Sequence, residues 1–357
     1  MGTQGCDGAG LRLPLGALVE LLGPALLVVV VGLVTTTASP SNKIYFLNAL
    51  VSVAIVVAIY VFVGISGVLS FGQISFVAVG AFAAGVMAVP VVSKKGVLTS
   101  IFPLLRDHSV GNVTSLLLAA ALGGVFAFVV GIPLMRLSGL AAGIATFAVL
   151  EITHNVLREW TKIGPGATTL ALVPETTGAL QATVGALVAI AVAFFYQRSR
   201  RGRLLRASRE DPAVARSVGV NIHLERLLAF TVSGALAGFA GGLYVHLQPL
   251  QANNLFLDLT FITLAMLVVG GSGSLLGAVV GALAVNGIYS FFTAAVNTVD
   301  VFGLHIHVRA GTAEVVLGVL MVLVLIFRPS GITGGREFSL PRRRRPVADL
   351  EKARATT

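Results

Sequence analysis

An arginine-rich polar interval, Gln197 to Leu227, interrupts a chain otherwise built of long apolar runs. Arg198, Arg200, Arg201, Arg203, Arg206 and Arg209 crowd its first half. Long apolar segments on both sides of such a run read as membrane spans, and the run marks their cytoplasmic side. Of the 357 residues, 56% are hydrophobic and only 11% are charged, far from an average soluble protein. The expected fold class is an all-α integral membrane protein of about ten transmembrane helices with Gly-rich breaks.

Inside the interval the pattern predicts a short helix with both ends marked. Asp211 is a good N-cap, Pro212 suits the first helical position, Ala213 to Val218 wind for barely two turns, and Gly219 suits the left-handed residue beyond the end. A helix that short is marginal in water unless something holds it. The plainer reading is a solvated basic loop containing a turn. The sharper one is a docking helix for a cytoplasmic protein.

A net charge of +10 raises nucleic acid as a partner. The basic residues, however, collect in two inner-side places without the interleaved aromatics of a base-stacking surface, so none is expected. The single cysteine, Cys6, excludes an intramolecular disulfide framework and a multi-cysteine metal site.

Residues 1–17 read as a disordered leader, 18–331 as the transmembrane domain with its polar segment at 197–227, and 332–357 as a basic cytoplasmic tail. The first apolar run, Leu18 to Val34, fits a membrane helix better than a cleaved signal ending near Ala38, by its length and its Pro24. Further spans are expected at 44–63, then ending near 92, and at 113–134, 137–156, 179–196, 227–246, 259–269, 275–287 and 315–327. Polar loops are expected at Ser93 to Asn112, Arg158 to Gly178 and Asn297 to Ala313. With both termini inside, seven of the 25 lysines and arginines fall in outer loops and 18 on the inner side, as the positive-inside rule requires. Segments 64–92 and 259–287 are also open to re-entrant pieces.

After the second span, Gly64, Gly67, Gly72 and Gly80 lie beside Ser66, Ser70, Gln73 and Ser75. Polar side chains and glycines in an apolar setting are tolerated where backbone is buried in protein or lines a wet cavity. Ser70, Gly72, Gln73 and Ser75 are therefore pathway candidates; small-residue packing would explain the glycines but not Gln73. Leu69 to Gln73 has a superficial likeness to a nucleotide-sensing motif of ATPases. It lies in a span, and no phosphate-binding Gly-x-x-x-x-Gly-Lys-Ser/Thr occurs anywhere in the chain. Glu151 is an ionisable residue within a span and a functional candidate, or else the partner of His154 and Arg158 in an ion pair. Gly270, Gly271, Gly273 and Gly277 form a Gly-rich reversal between two spans; without a following lysine it is not a phosphate loop.

Several collinear motifs resemble the permease subunits of the branched-chain amino-acid ABC importers, over nearly the whole chain. Gly64, Gly67, Leu69, Ser70, Gly72, Gln73, Phe76, Gly80 and Ala81 match that family's glycine-rich motif, and Arg136, Gly139, Leu140, Ala145, Thr146 and Glu151 its fifth-span pattern. Gly202, Arg203, Arg206, Ala207, Arg209, Glu210, Asp211, Ala215, Gly219 and Asn221 resemble its cytoplasmic coupling segment. Gly270, Gly271, Gly273, Ser274, Gly277, Gly281 and Ala282 match its late reversal, and Arg328, Pro329 and Gly331 its final exit. Two departures, Val68 in place of a usual glutamine and the loop Gly164-Pro165-Gly166-Ala-Thr-Thr169, bear on the solute and not on the transporter assignment.

The resemblance implies a subunit that binds no cofactor itself. ATP would be bound by partner ATPase subunits, a second permease would share the pathway, and an external binding protein would deliver solute. Arg209, Glu210, Asp211, Ala215, Arg216 and Gly219 would carry the coupling contact, Glu210 and Asp211 meeting basic groups and Arg209 and Arg216 acidic ones. Three rivals are weighed. A related permease for urea or a pentose differs mainly in its binding protein. An ion-driven transporter needs ionisable residues deep in several spans, where this chain has only Glu151. An intramembrane enzyme needs a catalytic set at membrane depth, and His305 and His307 sit in a loop.

Overall fold

The computed structural model describes residues 15–97, 101–295, 299–301, 304–306, 311–328 and 330–334. Most of the leader and tail, with Cys6, His307, Arg309 and Arg342 to Arg345, lies outside them. The described part of the leader is helical, not disordered, because the first helix already begins at Leu15.

The chain is a bundle of helices running in alternating directions. α1 (Leu15–Thr37) and α2 (Pro40–Ser66) are followed by the shorter α3 (Gln73–Ala88). Two small helices, α4 (Val91–Val97) and α5 (Pro103–Arg106), precede α6 (Asn112–Leu134), α7 (Gly139–Glu159) and α8 (Ala179–Arg198). α9 (Arg200–Glu210) and α10 (Pro212–Ser217) lead into α11 (Ile222–Val245). α12 (Leu257–Gly270) and α13 (Leu275–Ala295) form a hairpin; β1 (Val299–Val301), β2 (Leu304–Ile306) and α14 (Thr312–Phe327) complete the described chain. Among the described residues, eight helices are long and apolar enough to cross a membrane, and Gln73–Ala88 and Thr312–Phe327 are shorter apolar helices.

Three contacts gather one set of helix ends into a common basic face. Arg198 at the end of α8 pairs with Glu20 near the start of α1. The Arg209 guanidinium of α9 donates to the Gly64 carbonyl at the end of α2 (2.9 Å), and the Ile332 amide after α14 donates to the Val269 carbonyl of α12 (2.8 Å).

The expected loops are more ordered than their polarity suggests. Segment 93–112 holds α4 and α5, and Lys94 is fully buried, its ammonium donating to the carbonyls of Leu105 and His108. Burial pushes the Lys94 pKa below the usual lysine value. Segment 158–178 is tied by backbone bonds between Leu170 and Leu250 (2.9 and 3.1 Å). Segment 297–313 contains an antiparallel hairpin in which Asp300 faces His305. The polar interval also differs from expectation: Arg200, Arg201, Arg203, Arg206 and Arg209 lie on an eleven-residue helix, α9, not in a loop. Ser199 caps it by accepting from the Gly202 amide (3.1 Å), and Leu205 is buried beneath it.

Lipid is as apolar as leucine, so burying apolar surface does little to hold spans together; close packing must do it. α11 packs between α2, α3 and α6, and its glycines let backbones touch. A Cβ on Gly238 would lie 2.3 Å from the Ala119 carbonyl oxygen, one on Gly80 2.3 Å from that of Gly238, and one on Gly241 2.1 Å from that of Val77. The α12–α13 hairpin repeats the device: a Cβ on Gly281 would lie 2.0 Å from the Met266 carbonyl, and one on Gly270 2.0 Å from that of Gly277.

Gly238→Val is therefore expected to force α6 from α11 and to cost about 1–3 kcal/mol or more, read as a lower unfolding temperature and loss of the monodisperse species in detergent. Gly287→Ala, where a Cβ meets nothing within 4 Å, is the control that should leave both unchanged.

Candidate functional site

The short helix forms as its ends predict. Asp211 Oδ1 accepts from the amides of Ala213 (2.8 Å) and Val214 (3.0 Å), and Pro212 occupies the first turn. At the other end Gly219 has φ +82°, its amide donates to Arg216 (3.0 Å), and the Val220 amide reaches back to Ala215 (3.0 Å). These are the two bonds of a Schellman ending. Ala215 faces inward and is buried, whereas Val214 and Val218, four apart, are 57% and 73% exposed. Glu210, Asp211 and Arg216 are exposed as well. Beside this helix a cavity of about 480 Å³ is lined by Arg136, Arg216, Arg226 and His223.

Arg209 has a partner within the chain as well as an exposed surface: its guanidinium donates to the Gly64 carbonyl, and its side chain lies over Gly67, where a Cβ would come within 2.7 Å of it. Gly67 caps α2 with φ +70°, a conformation in which glycine is unstrained. One turn along α9, Arg206 donates to the Tyr60 hydroxyl (3.2 Å), which donates to Gln197 Oε1 (2.7 Å). α9 thus grips the last two turns of α2 at two points and carries α10 on its far end. Tyr60 and Gln197 were not singled out as site residues from sequence, and Arg206 was matched to the coupling segment without its inward contact, since an arginine run gives no hint of which members turn inward.

Past Gly67 the chain does not turn directly into a span. It runs without regular structure back into the bundle, and the Phe71 amide donates to Thr146 Oγ1 of α7 (3.2 Å). Gly72 lies against the same residue, where a Cβ would meet the Thr146 carbonyl oxygen at 2.6 Å. Ser233 Oγ lies 2.7 Å from the Ala58 carbonyl and 2.9 Å from Gln73 Oε1. α3 thus begins inside the bundle, its first residue Gln73 buried beside Ser233, after a non-helical stretch, 67–72, of which Ser70 and Gly72 are buried.

Ser70, Gln73 and Ser75 are all buried, at 1%, 1% and 0% exposure, within the packing of this chain. Ser70 Oγ, Ser75 Oγ and Gln73 Nε2 are buried and without a hydrogen-bond partner among the described residues. A hydroxyl has one proton, so Ser233 cannot donate to both Ala58 and Gln73. Turning the Gln73 amide over lets Nε2 donate to Ser233 but leaves Oε1 unmatched, so one polar atom of Gln73 is left over either way. Ser233 was also missed from sequence, though it opens a small-residue run, Ser233, Gly234, Gly238 and Gly241, of readable helical spacing.

Glu151 is exposed on α7 and accepts from the Asn155 amide group (2.8 Å). The expected ion pair does not form: Arg158 reaches Glu159 (3.5 Å), and His154 stacks on Phe256 with ring centroids 4.0 Å apart. Gly64, Gly80, Gly270 and Gly277 serve close backbone approach, and Gly273 sits in the α12–α13 turn. Gly271, at φ +113°, is packed under Gly331, where a Cβ would lie 2.4 Å from the Gly271 Cα. The turn after α14 closes this reversal, with the Thr333 amide and hydroxyl both donating to the Gly270 carbonyl (3.2 and 2.9 Å). No group of three or more metal-binding side chains occurs among the described residues.

Known proteins place this architecture. The LivM high-affinity branched-chain amino acid transport system permease protein of Escherichia coli K12 is 27% identical over 309 residues, covering 76% of this chain and 65% of LivM. The probable LivM of Methanocaldococcus jannaschii is 25% identical over 274 residues, covering 69% and 76% of the two chains. BraD of Pseudomonas aeruginosa is 35% identical over 155 residues, 42% of this chain and 45% of its own. The chain spans about two thirds of the length of the E. coli LivM it matches. No solved structure matches it significantly. The family described as the permease component of branched-chain amino acid transport systems matches residues 42–325, and the chain belongs to that family.

Proposed function

We propose that this chain is the membrane-spanning permease subunit of an ATP-driven importer of branched-chain amino acids, in a bacterial plasma membrane with its basic face and both termini in the cytoplasm. The observation that carries the reading is the α10 geometry: a six-residue helix, fastened at both ends, that turns Val214 and Val218 outward from the basic face. Two exposed valines and a rim of Glu210, Asp211 and Arg216 fit a groove on a second protein better than they fit water. In this reading the groove belongs to an ATPase subunit, and Arg136, Arg216 and Arg226 offer its acidic residues a complementary surface.

The chain supplies a mechanical path. Displacement of α10 moves α9, which holds α2 through Arg206 to Tyr60 and Arg209 to Gly64. The end of α2 continues into the non-helical stretch before α3, which is pinned to α7 at Thr146. Nucleotide-driven closure below would thereby shift α2, α3 and α7 against neighbours that meet through glycines. A second permease chain would complete the pathway, and an external binding protein would deliver solute. ATP would be hydrolysed by the partners.

Co-purification in mild detergent with products of neighbouring genes tests the partnership, and uptake of labelled leucine, urea and ribose by the reconstituted assembly tests the solute. Leucine uptake that needs ATP is expected; solute movement by the purified chain alone would overturn the reading. Gly219→Val forces a β-branched residue to φ +82°, costing about 1–2 kcal/mol at the helix end. Hydrolysis stimulated by the loaded binding protein should fall together with uptake, and unchanged values of both would refute the docking role. Gln73→Leu removes the unmatched polar atom and leaves Ser233 bonded to Ala58. Unfolding temperature should hold or rise while uptake falls, and normal uptake would make Gln73 a packing residue.

A further inference from the structure

The half of the bundle far from α10 holds a cavity of about 370 Å³ between α2, the end of α11, α12 and α13, within the size range of small-molecule sites, ~300–1,000 Å³. Its wall is made of polar pairs one helical turn apart: Asn48 and Ser52 on α2, Tyr244 and Gln248 at the end of α11, Asn286 and Ser290 on α13. Amides on membrane helices are costly unless they meet one another or water. Some do meet: Gln248 Nε2 donates to Asn48 Oδ1 (2.7 Å), and Asn286 Nδ2 to Ser52 Oγ (3.1 Å). Glue between helices would require no more than that.

The cavity has more. Asp258 and Asn254 line it and are both exposed, and neither side chain makes a hydrogen bond or ion pair among the described residues. A second cavity of about 270 Å³ adjoins it, sharing Asp258, Ile262 and Tyr289 and adding Glu314. Two carboxylates, Asp258 and Glu314, thus line one cavity with the Tyr289 side chain. No lysine, arginine or histidine lines either cavity among the described residues. Each carboxylate lies in the first turn of a helix, where the dipole favours negative charge. The dipole explains why charge is tolerated there, not why two charges share one opening with no cation. The inner part is apolar, with Ile55, Leu259, Ile262 and Met266, and Met266 lies nine residues beyond Leu257, about 14 Å along the helix.

We propose that this cavity is a solute site within the single permease chain. It takes a small aliphatic amino acid, with the ammonium group at Asp258 and the alkyl chain directed toward Ile55, Ile262 and Met266. The side-chain amides of Asn48 and Asn254 are the donors available to its carboxylate. The choice of an amino acid rests on the importer reading; the requirement for a cationic head and an apolar tail rests on the cavity alone.

Saturation-transfer NMR on the full chain in lipid nanodiscs tests it with three probes of one skeleton: L-leucine, L-leucinol, which lacks the carboxylate, and 4-methyl-2-oxopentanoate, which lacks the ammonium. Leucine and leucinol should bind and the oxo acid should not. Asp258→Asn should weaken leucine about tenfold or more, as loss of a charged hydrogen-bond partner does, and Asp258→Glu should restore most of it. Met266→Trp should block the tail of both ligands while leaving the fold intact by thermal unfolding. Equal binding of the oxo acid, no binding of any probe, or an Asp258→Asn variant that binds leucine normally would each overturn the site. Uptake by the assembled importer separates the two readings. ATP-driven leucine uptake with normal KM in Asp258→Asn sinks the cavity and keeps the importer; leucine bound in nanodiscs without ATP-driven uptake in the assembly keeps the cavity and sinks the importer.

Discussion

Backbone touching backbone is what this bundle is built on. A soluble helix bundle gains about 25 cal/mol for each Å² of apolar surface taken from water, but a span already in lipid gains little of that by meeting another. What remains is dispersion, which needs atoms close together, and glycine permits the closest approach. The α3–α11–α6 contact and the α12–α13 hairpin both use it, with carbonyl oxygens where a Cβ would stand at Gly238, Gly241 and Gly281. The α3–α11–α6 contact adds interlocked rings, Phe76 lying edge-on to Phe126 and to Phe230, so these helices resist separation.

Directional bonds are placed elsewhere. The basic face has one set, Arg198 with Glu20, Arg206 with Tyr60, Arg209 with Gly64, and the turn after α14 bonded onto Val269 and Gly270, and the opposite end has another, including Gln248 with Asn48 and Ser115 with His246. A guanidinium on a helix-end carbonyl is charge-assisted and satisfies an acceptor the helix leaves open. The bonds of the basic face tie α9 to the end of α2, so force applied at that face reaches α2 as translation of a whole helix.

Reading such a chain from sequence succeeds where a residue's chemistry has one use. Asp211, Pro212 and Gly219 can do little at those spacings except begin and end a helix, and they do so. Glycines at 270–277 predict a reversal because no phosphate-binding lysine accompanies them. The arginines of α9 were harder, since helix-forming residues with one buried leucine have no long apolar stripe to betray a helix. Glu151 misled because its neighbours in sequence, His154 and Arg158, find partners elsewhere and Asn155 takes the carboxylate instead. The short α3 was partly legible, since the glycines and polar residues of 64–92 left that segment open to a re-entrant piece, but the place of the break depends on Thr146, 75 residues away, receiving the Phe71 amide.

That break is where the two kinds of contact meet. Non-helical backbone between two spans leaves amides and carbonyls that lipid cannot satisfy, at a cost of about 1–3 kcal/mol each when unmatched. Here side chains cover them: Ser66 Oγ accepts from the Val68 amide, Thr146 Oγ1 from that of Phe71, and Arg209 donates to the Gly64 carbonyl just before. Each donor or acceptor sits on a different helix, so no single rigid body holds the segment in place. Moving α9 relative to α7 must therefore break or exchange at least one of these bonds. Ser70, Gln73 and Ser75, buried beside them with unmatched atoms, are the nearest groups with which a bond could be exchanged. The segment is held by bonds that motion at the basic face directly alters, and its position in the bundle follows that face.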